Sequence, residues 1–333
     1  MITRPKEHSS SDSPSSLRAS RFGAWLGPQR WRRDSEGPCL SLGAPGSFDD
    51  MHIFAPCVAF ERGGYVMWYC GSQGAVADRV FGLGLATSAD GVHFARHPAC
   101  PVLAVPGGRR SLLTPALLRH PDGSVLREKG RLRLWFASAD LGLAHGPFWL
   151  HEATSEDGVS WTEPSEPQLD GIYSPTVIRE GDTYRMWYTD VSADPWLFRH
   201  AESGDGRNWQ VTVEPVLQVD QPWEHQEVFY PTVVKTKDLY LMWYGSYSEP
   251  GAAKTALGFA VSSDGIHWKK NPNNPVFGPD ETRPWESHYT TSQSVMRVPG
   301  GWWRIWYASR HKPPFTHKYY AIGTAPWPGP EEE

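Results

Sequence analysis

The side chains able to do acid–base chemistry are spread unevenly along this 333-residue chain. Asp49 and Asp50 stand side by side, with His52 two residues on. Asp140 and Asp190 each end an apolar stretch, and Glu227 directly precedes another. Glu224 and Glu286 close two copies of Pro-Trp-Glu, at 222–224 and 284–286. Arg79, Arg109, Arg110, Arg310, His145, His288 and His311 fall in polar segments between apolar ones. Carboxylates of unequal pKa, aromatic faces, and Arg or His donors together make a sugar site. The acids move protons, the rings stack and the cations bind hydroxyls.

The segments between these residues repeat. A strand-like stretch centred on Trp occurs five times, at Trp68, Trp135, Trp187, Trp243 and Trp306, with gaps of 67, 52, 56 and 63 residues. A period near 60 marks a repeat architecture. Each Trp strand follows an apolar strand, usually opened by Pro: APCVAFE (55–61), TPALLRH (114–120), SPTVIRE (174–180), YPTVVKT (230–236) and SQSVMRV (292–298). Gly- and Asp-containing turns join the two, as hairpins require. A third strand follows, at 82–88, 148–155, 197–203, 256–262 and 318–324. Next come an Asp-Gly turn with an aromatic and a PVL-like run, found only four times, around Asp90, Asp157, Asp205 and Asp264.

The missing fourth element lies at the other end of the chain. Within 27–42, Trp31 takes the place of the turn aromatic and GPCL that of PVL. A strand exchanged between the two ends closes a ring and removes free sheet edges. The chain is therefore expected to be all-β, a five-bladed β-propeller with four-stranded blades. The blades span about 55–103, 114–169, 174–217, 230–277 and 292–325 plus 27–42, in one domain over 22–327. Polar tails are expected at 1–21 and 328–333, the first disordered. The short, uniform hairpins fall on one face. The long, dissimilar loops fall on the other, where function usually sits.

The repeat also sorts the acids. Asp49, Glu224 and Glu286 each follow an aromatic at matching places before a blade, so they are expected to hold loops by accepting backbone N–H bonds. The Asp-Gly acids are turn formers. Asp50, Glu227, Asp190 and Asp140 break the pattern. Three positions before the opening of a blade stand His52, Glu227 and Tyr289 in the first, fourth and fifth copies.

Totals exclude several classes. A formal charge of −5 gives no basic surface for nucleic acid or anionic membrane. No apolar run has the length of a membrane span and no signal peptide is apparent, so the expected location is cytoplasmic. Four Cys (Cys39, Cys57, Cys70, Cys100) lack zinc or disulfide-framework spacing and read as reduced thiols, with a Cys57–Cys70 bridge across a hairpin as the alternative.

Five Trp-Tyr repeats, Ser-x-Asp-Gly-x-x-Trp turns and acids at the starts of inner strands resemble the five-bladed propeller glycoside hydrolases: arabinanases, xylosidases, invertases, levansucrases and the related β-mannoside phosphorylases. The resemblance covers about 22–327. It implies an acid/base pair in the axial funnel acting on a small carbohydrate or glycoside. Asp50 (or Asp49) becomes the base or nucleophile, Glu227 the acid, and Asp190 the group that adjusts its pKa. His52, Asp140, Tyr173, Arg79, Arg310, His288, Tyr289 and Trp223 become the substrate-binding set. No cofactor is required, and His288 (or His52) is the place for an axial metal ion such as calcium. The first blade departs from the family by reading His52-Ile53-Phe54-Ala55-Pro56 without an Asp-Pro opening. Two alternatives stand beside hydrolysis: a lyase or cyclase, metal-dependent or not, and a carbohydrate-binding propeller without turnover.

Overall fold

The computed structural model describes residues 22–143, 146–252, 254–311 and 320–330. The tails at 1–21 and 331–333, and His145, lie outside the described residues. Of the expected C-terminal tail, residues 328–330 are described, and Gly329 is buried.

Twenty strands form five antiparallel four-stranded sheets around an axis. Blade one is β2 (His52–Glu61), β3 (Gly64–Ser72), β4 (Gly82–Ser88) and β5 (Ala95–Arg96). Blade two is β6 (Arg110–Leu117), β7 (Leu132–Asp140), β8 (Trp149–Ser155) and β9 (Leu169–Asp170). Blade three is β10 (Ile172–Glu180), β11 (Thr183–Asp190), β12 (Leu197–Ser203) and β13 (Gln210–Val211). Blade four is β14 (His225–Lys235), β15 (Tyr240–Tyr247), β16 (Thr255–Ser262) and β17 (Trp268–Lys270). Blade five is β18 (Tyr289–Arg297), β19 (Trp303–Arg310) and β20 (Ala321–Trp327), completed on its outer edge by β1 (Leu40–Ser41). Leu40 faces Ile322, as Leu103, Leu217 and Phe277 of the PVL runs bridge Leu83, Phe198 and Leu257.

The inner strands begin earlier than the Pro pattern suggests. Pro in blades one to four, and Gln293 in blade five, stands mid-strand at a bulge where the register of every inner strand slips, between Phe54 and Cys57 in blade one and at the matching place in the other four. The residue before it takes positive φ: Ala55, Thr114, Ser174, Tyr230 and Ser292, at 43–58°. An innermost strand turns one edge to the axis, so Pro there sacrifices no ladder bond. A bulge bends its strand, and the residues just before the five bulges line one cavity. The bulged amides are satisfied across blades: Ala55, Ser174 and Tyr230 donate to the hydroxyls of Ser292, Thr114 and Ser174.

The five repeated Trp side chains are fully buried latches. Trp68, Trp135, Trp187 and Trp306 donate their indole N–H to the carbonyls of Gly158, Gly206, Gly265 and Gly91, each in the Asp-Gly turn of the following blade, at 2.7–3.0 Å. A Cβ on Gly158 or Gly265 would sit 2.8 Å from the Trp ring, so the turn needs Gly for contact as well as for its positive φ. Trp243 has no such turn ahead of it. Its indole donates instead to Gln29 Oε1 at 2.9 Å, and Trp31 donates to the same atom at 3.0 Å. Gly158 and Gly265 carbonyls likewise each take a second indole, from Trp161 and Trp268. The N-terminal segment therefore copies the missing turn with a side-chain amide.

Candidate active site

Asp49, Glu224 and Glu286 are structural, as the repeat implies, but through other donors. Each accepts from the Tyr of its blade's Trp-Tyr pair (Tyr69, Tyr244, Tyr307) and from a cation of the outer edge (Arg96, Lys270, Arg33). Only Glu224 also takes backbone N–H groups among the described residues, from Asp220 and Gln221. The aromatic before each acid packs on that Tyr, as Trp223 does on Tyr244 at 5.9 Å. Trp223 is thus part of blade four's packing and does not line the funnel.

The funnel holds a cavity of about 210 Å³. The residue just before each bulge supplies one wall: Phe54, Leu113, Tyr173, Phe229 and Thr291. Nine of its sixteen lining side chains are aromatic, so its walls offer ring faces in several directions. Tyr173 anchors one side. Its hydroxyl bonds Tyr230 at 2.7 Å, and its ring contacts Phe148 and Trp196 edge-on at 5.5 and 6.0 Å. Arg310 lies over the Tyr289 ring at 3.6 Å, and both line the cavity with Arg79.

Glu227 is the only carboxylate among the described lining residues. Blade four differs from the others by a second bulge, between His225 and Val228, where Gln226 is held at φ 77°. A bulge re-aims the side chain beside it, and strain of this kind collects at functional sites. Ser246 fixes the distorted turn by donating to the Glu227 carbonyl at 2.8 Å. The carboxyl itself receives no hydrogen bond from the described residues. Burial first, and then the negative charge of Asp194, push its pKa from 4.5 up to about 7. Asp194 stands exposed in the 191–196 loop of blade three, whose Trp196 carbonyl accepts the Val228 amide.

The other expected acids lie elsewhere. Asp50 caps its own loop, accepting the Gly46 amide at 2.7 Å, and does not line the cavity. Asp190 is buried and accepts from Arg199 at 2.6 Å and from Ser192. Burial opposes its ionisation, but Ser192 and Arg199 outweigh it and hold the pKa below the usual carboxylate range. The acid that acts on Glu227 is Asp194, four residues on. Asp140 accepts the Gly142 amide at 2.9 Å and lies 3.5 Å from the exposed Arg109. His52 is fully buried behind the wall, its ring 5.9 Å from that of Phe81. His288 also stands outside the lining. Burial, then the charge of Lys254, lower its pKa against the opposing pull of the Ser287 backbone and of Glu281. No group of three or more His, Cys, Asp or Glu among the described residues is arranged to hold a metal.

The four Cys are free thiols. No described helix is long and apolar enough to cross a membrane.

No family model matches the chain. It is 29% identical over 238 residues to the uncharacterized proteins MT1551 and Rv1502 of two Mycobacterium tuberculosis strains, CDC 1551 / Oshkosh and ATCC 25618 / H37Rv, covering 67% of this chain and 76% of each relative. Among solved structures, a complex of BT0996 with RGII superposes with a TM-score of 0.74 at 17% identity, over 92% of this chain and 95% of that one. A "Glycoside hydrolase" does so with 0.71 at 17%, over 94% and 96%. An N-acetylgalactosamine deacetylase from F. plautii, in complex with blood group B trisaccharide, gives 0.68 at 16%, over 89% and 95%.

Proposed function

For a chain with the fold of the five-bladed propeller glycoside hydrolases, we propose an enzyme that acts on a glycosidic bond, with Glu227 as proton donor to the leaving oxygen. The observation that carries this reading is the blade-four bulge, which sets a carboxyl of pKa about 7 into an aromatic cavity. A general acid works best when its pKa lies near the working pH. Asp194 is the partner carboxyl. It supplies the one charge that acts on Glu227, and it stays exposed where Glu227 is sheltered. Two carboxyls in unlike environments divide the acid and base roles. Tyr173, Trp196 and Tyr289 stack on the sugar, and Arg79 and Arg310 bind its oxygens. Two of the similar structures are described as complexes, one with RGII and one with a trisaccharide, which supports a carbohydrate ligand.

One observation favours a second reading, a carbohydrate-binding propeller without turnover: no second carboxylate lines the cavity among the described residues. A panel of nitrophenyl furanosides and pyranosides separates the two. The enzyme releases nitrophenol, and Glu227→Gln loses that activity. A binding module releases none, and Glu227→Gln keeps its sugar affinity.

A further inference from the structure

Below the bulges, the axis contains a second chamber of about 100 Å³, lined by the lower halves of the inner strands and sharing only Tyr230 with the lining of the funnel cavity. Arg119 reaches into it from the end of blade two's inner strand. One guanidinium nitrogen, Nη1, donates to the Val58 carbonyl and lies 3.5 Å from Ser294 Oγ. These are its only hydrogen bonds among the described residues, and no carboxylate among them pairs with it. The other cations at this end are neutralised. Arg179 pairs with Glu128 at 2.6 Å, and Lys235 lies 3.6 Å from Glu180. Burial pushes the Arg119 pKa down, with only the Cys57 thiol opposing it. Arg119 is only half-buried, but a guanidinium does not give up its proton, so a site that part-shields it from water and pairs it with no carboxylate favours an opposite charge beside it.

We propose that the lower axial chamber binds a small inorganic anion on the Arg119 guanidinium, with Ser294 Oγ as a second donor. The chamber's size admits a halide and a water, at about 30 Å³ for the water. The water has a partner waiting. Gln293 spends its amide N–H groups on the carbonyls of Tyr230 and Trp243, and its buried Oε1 has no donor among the described residues. Arg119 comes from blade two, Val58 from blade one and Ser294 from blade five, so the anion would tie three blades together where the ring is narrowest.

Bromide is the probe. Crystals of the full chain soaked in sodium bromide are expected to show an anomalous peak within about 3.5 Å of the Arg119 guanidinium nitrogens. In solution, sodium chloride is expected to raise the melting temperature by about 2 °C over sodium gluconate at equal ionic strength, saturating with concentration. Arg119→Gln is expected to lose both effects. Should that variant fail to fold, Ser294→Ala is expected to keep the peak at reduced occupancy. Bromide peaks only elsewhere, or equal melting in the two salts, would overturn the proposal. So would a chloride effect that persists in Arg119→Gln.

Discussion

Replacing Glu227 by Gln tests the central residue in two ways at once, because a strained catalytic acid and a structural acid respond in opposite directions. A carboxyl held at about 7 instead of 4.5 carries a cost when ionised of about 3 kcal/mol, at 1.36 kcal/mol per pKa step. The side chain keeps partial contact with water, so about half of that, roughly 1.5 kcal/mol, is expected to be realised. Between pH 4.5 and 7 the folded protein holds a proton on Glu227 that the unfolded chain has released. Stability therefore falls as pH rises through this window and levels off above it. Glu227→Gln removes the titration. Relative to the wild type, it is expected to be about 1–2 kcal/mol more stable at pH 8 than at pH 4.5, while turnover falls by roughly 10²–10⁴. Urea unfolding at the two pH values reads the first effect and nitrophenol release the second. If the variant's stability difference from wild type is the same at pH 4.5 and pH 8, Glu227 carries no raised pKa and its role as proton donor fails.

Asp194→Asn removes the second cause of the raised pKa. Turnover is expected to fall by roughly 10²–10⁴ with the loss of the base, and the alkaline limb of the residual kcat/KM profile to move to lower pH; an unmoved limb would remove Asp194 from the site. Asp190→Asn takes a charge from Arg199 and is expected to cost about 1–3 kcal/mol at pH 7. Its native pKa lies below 3.8, so this cost is present at neutral pH and shrinks as acid protonates the wild-type carboxylate; equal destabilisation at pH 3 and pH 7 would contradict the pairing. Gln29→Ala leaves the Trp243 and Trp31 indoles without their acceptor and is expected to lower stability by about 1–3 kcal/mol, read by denaturant midpoint, with kcat unchanged.

The architecture was legible because packing repeats. Trp31 and Leu40 could be assigned to a blade at the far end of the chain, since the same side chains recur wherever a blade needs that contact. The funnel was legible only in part. Glu227, Tyr173, Arg79, Arg310 and Tyr289 line it together, but Asp50, Asp190, Asp140, Trp223 and His288 do not. A place in a long loop does not say which way that loop folds. Asp190 looked anomalous at the end of its strand, yet Arg199 on the neighbouring strand claims it. The second bulge in blade four has no mark in the sequence, because Gln226 is an ordinary residue forced to positive φ. Phe81, Trp196 and Tyr247 escaped notice because aromatic residues are common throughout the chain and their loops give no direction. A usable signal was present: the residue before each Ala-, Thr-, Ser- or Tyr-Pro pair is a funnel wall, and four of the five are visible that way. Arg119 was hidden inside a strand that read as apolar.

The Gln29 latch also sets an order in time. Residues 22–42 leave the ribosome long before their partners in blades four and five. At ordinary rates of synthesis the segment waits roughly 15–60 s for them. Through that interval Trp25 lacks Trp303 and Trp327, and Trp31 lacks Trp243 and Phe277. A nascent chain carrying these rings uncovered is a client for holding chaperones, and the same piece that seals the finished ring is the one most exposed to mispairing before it closes.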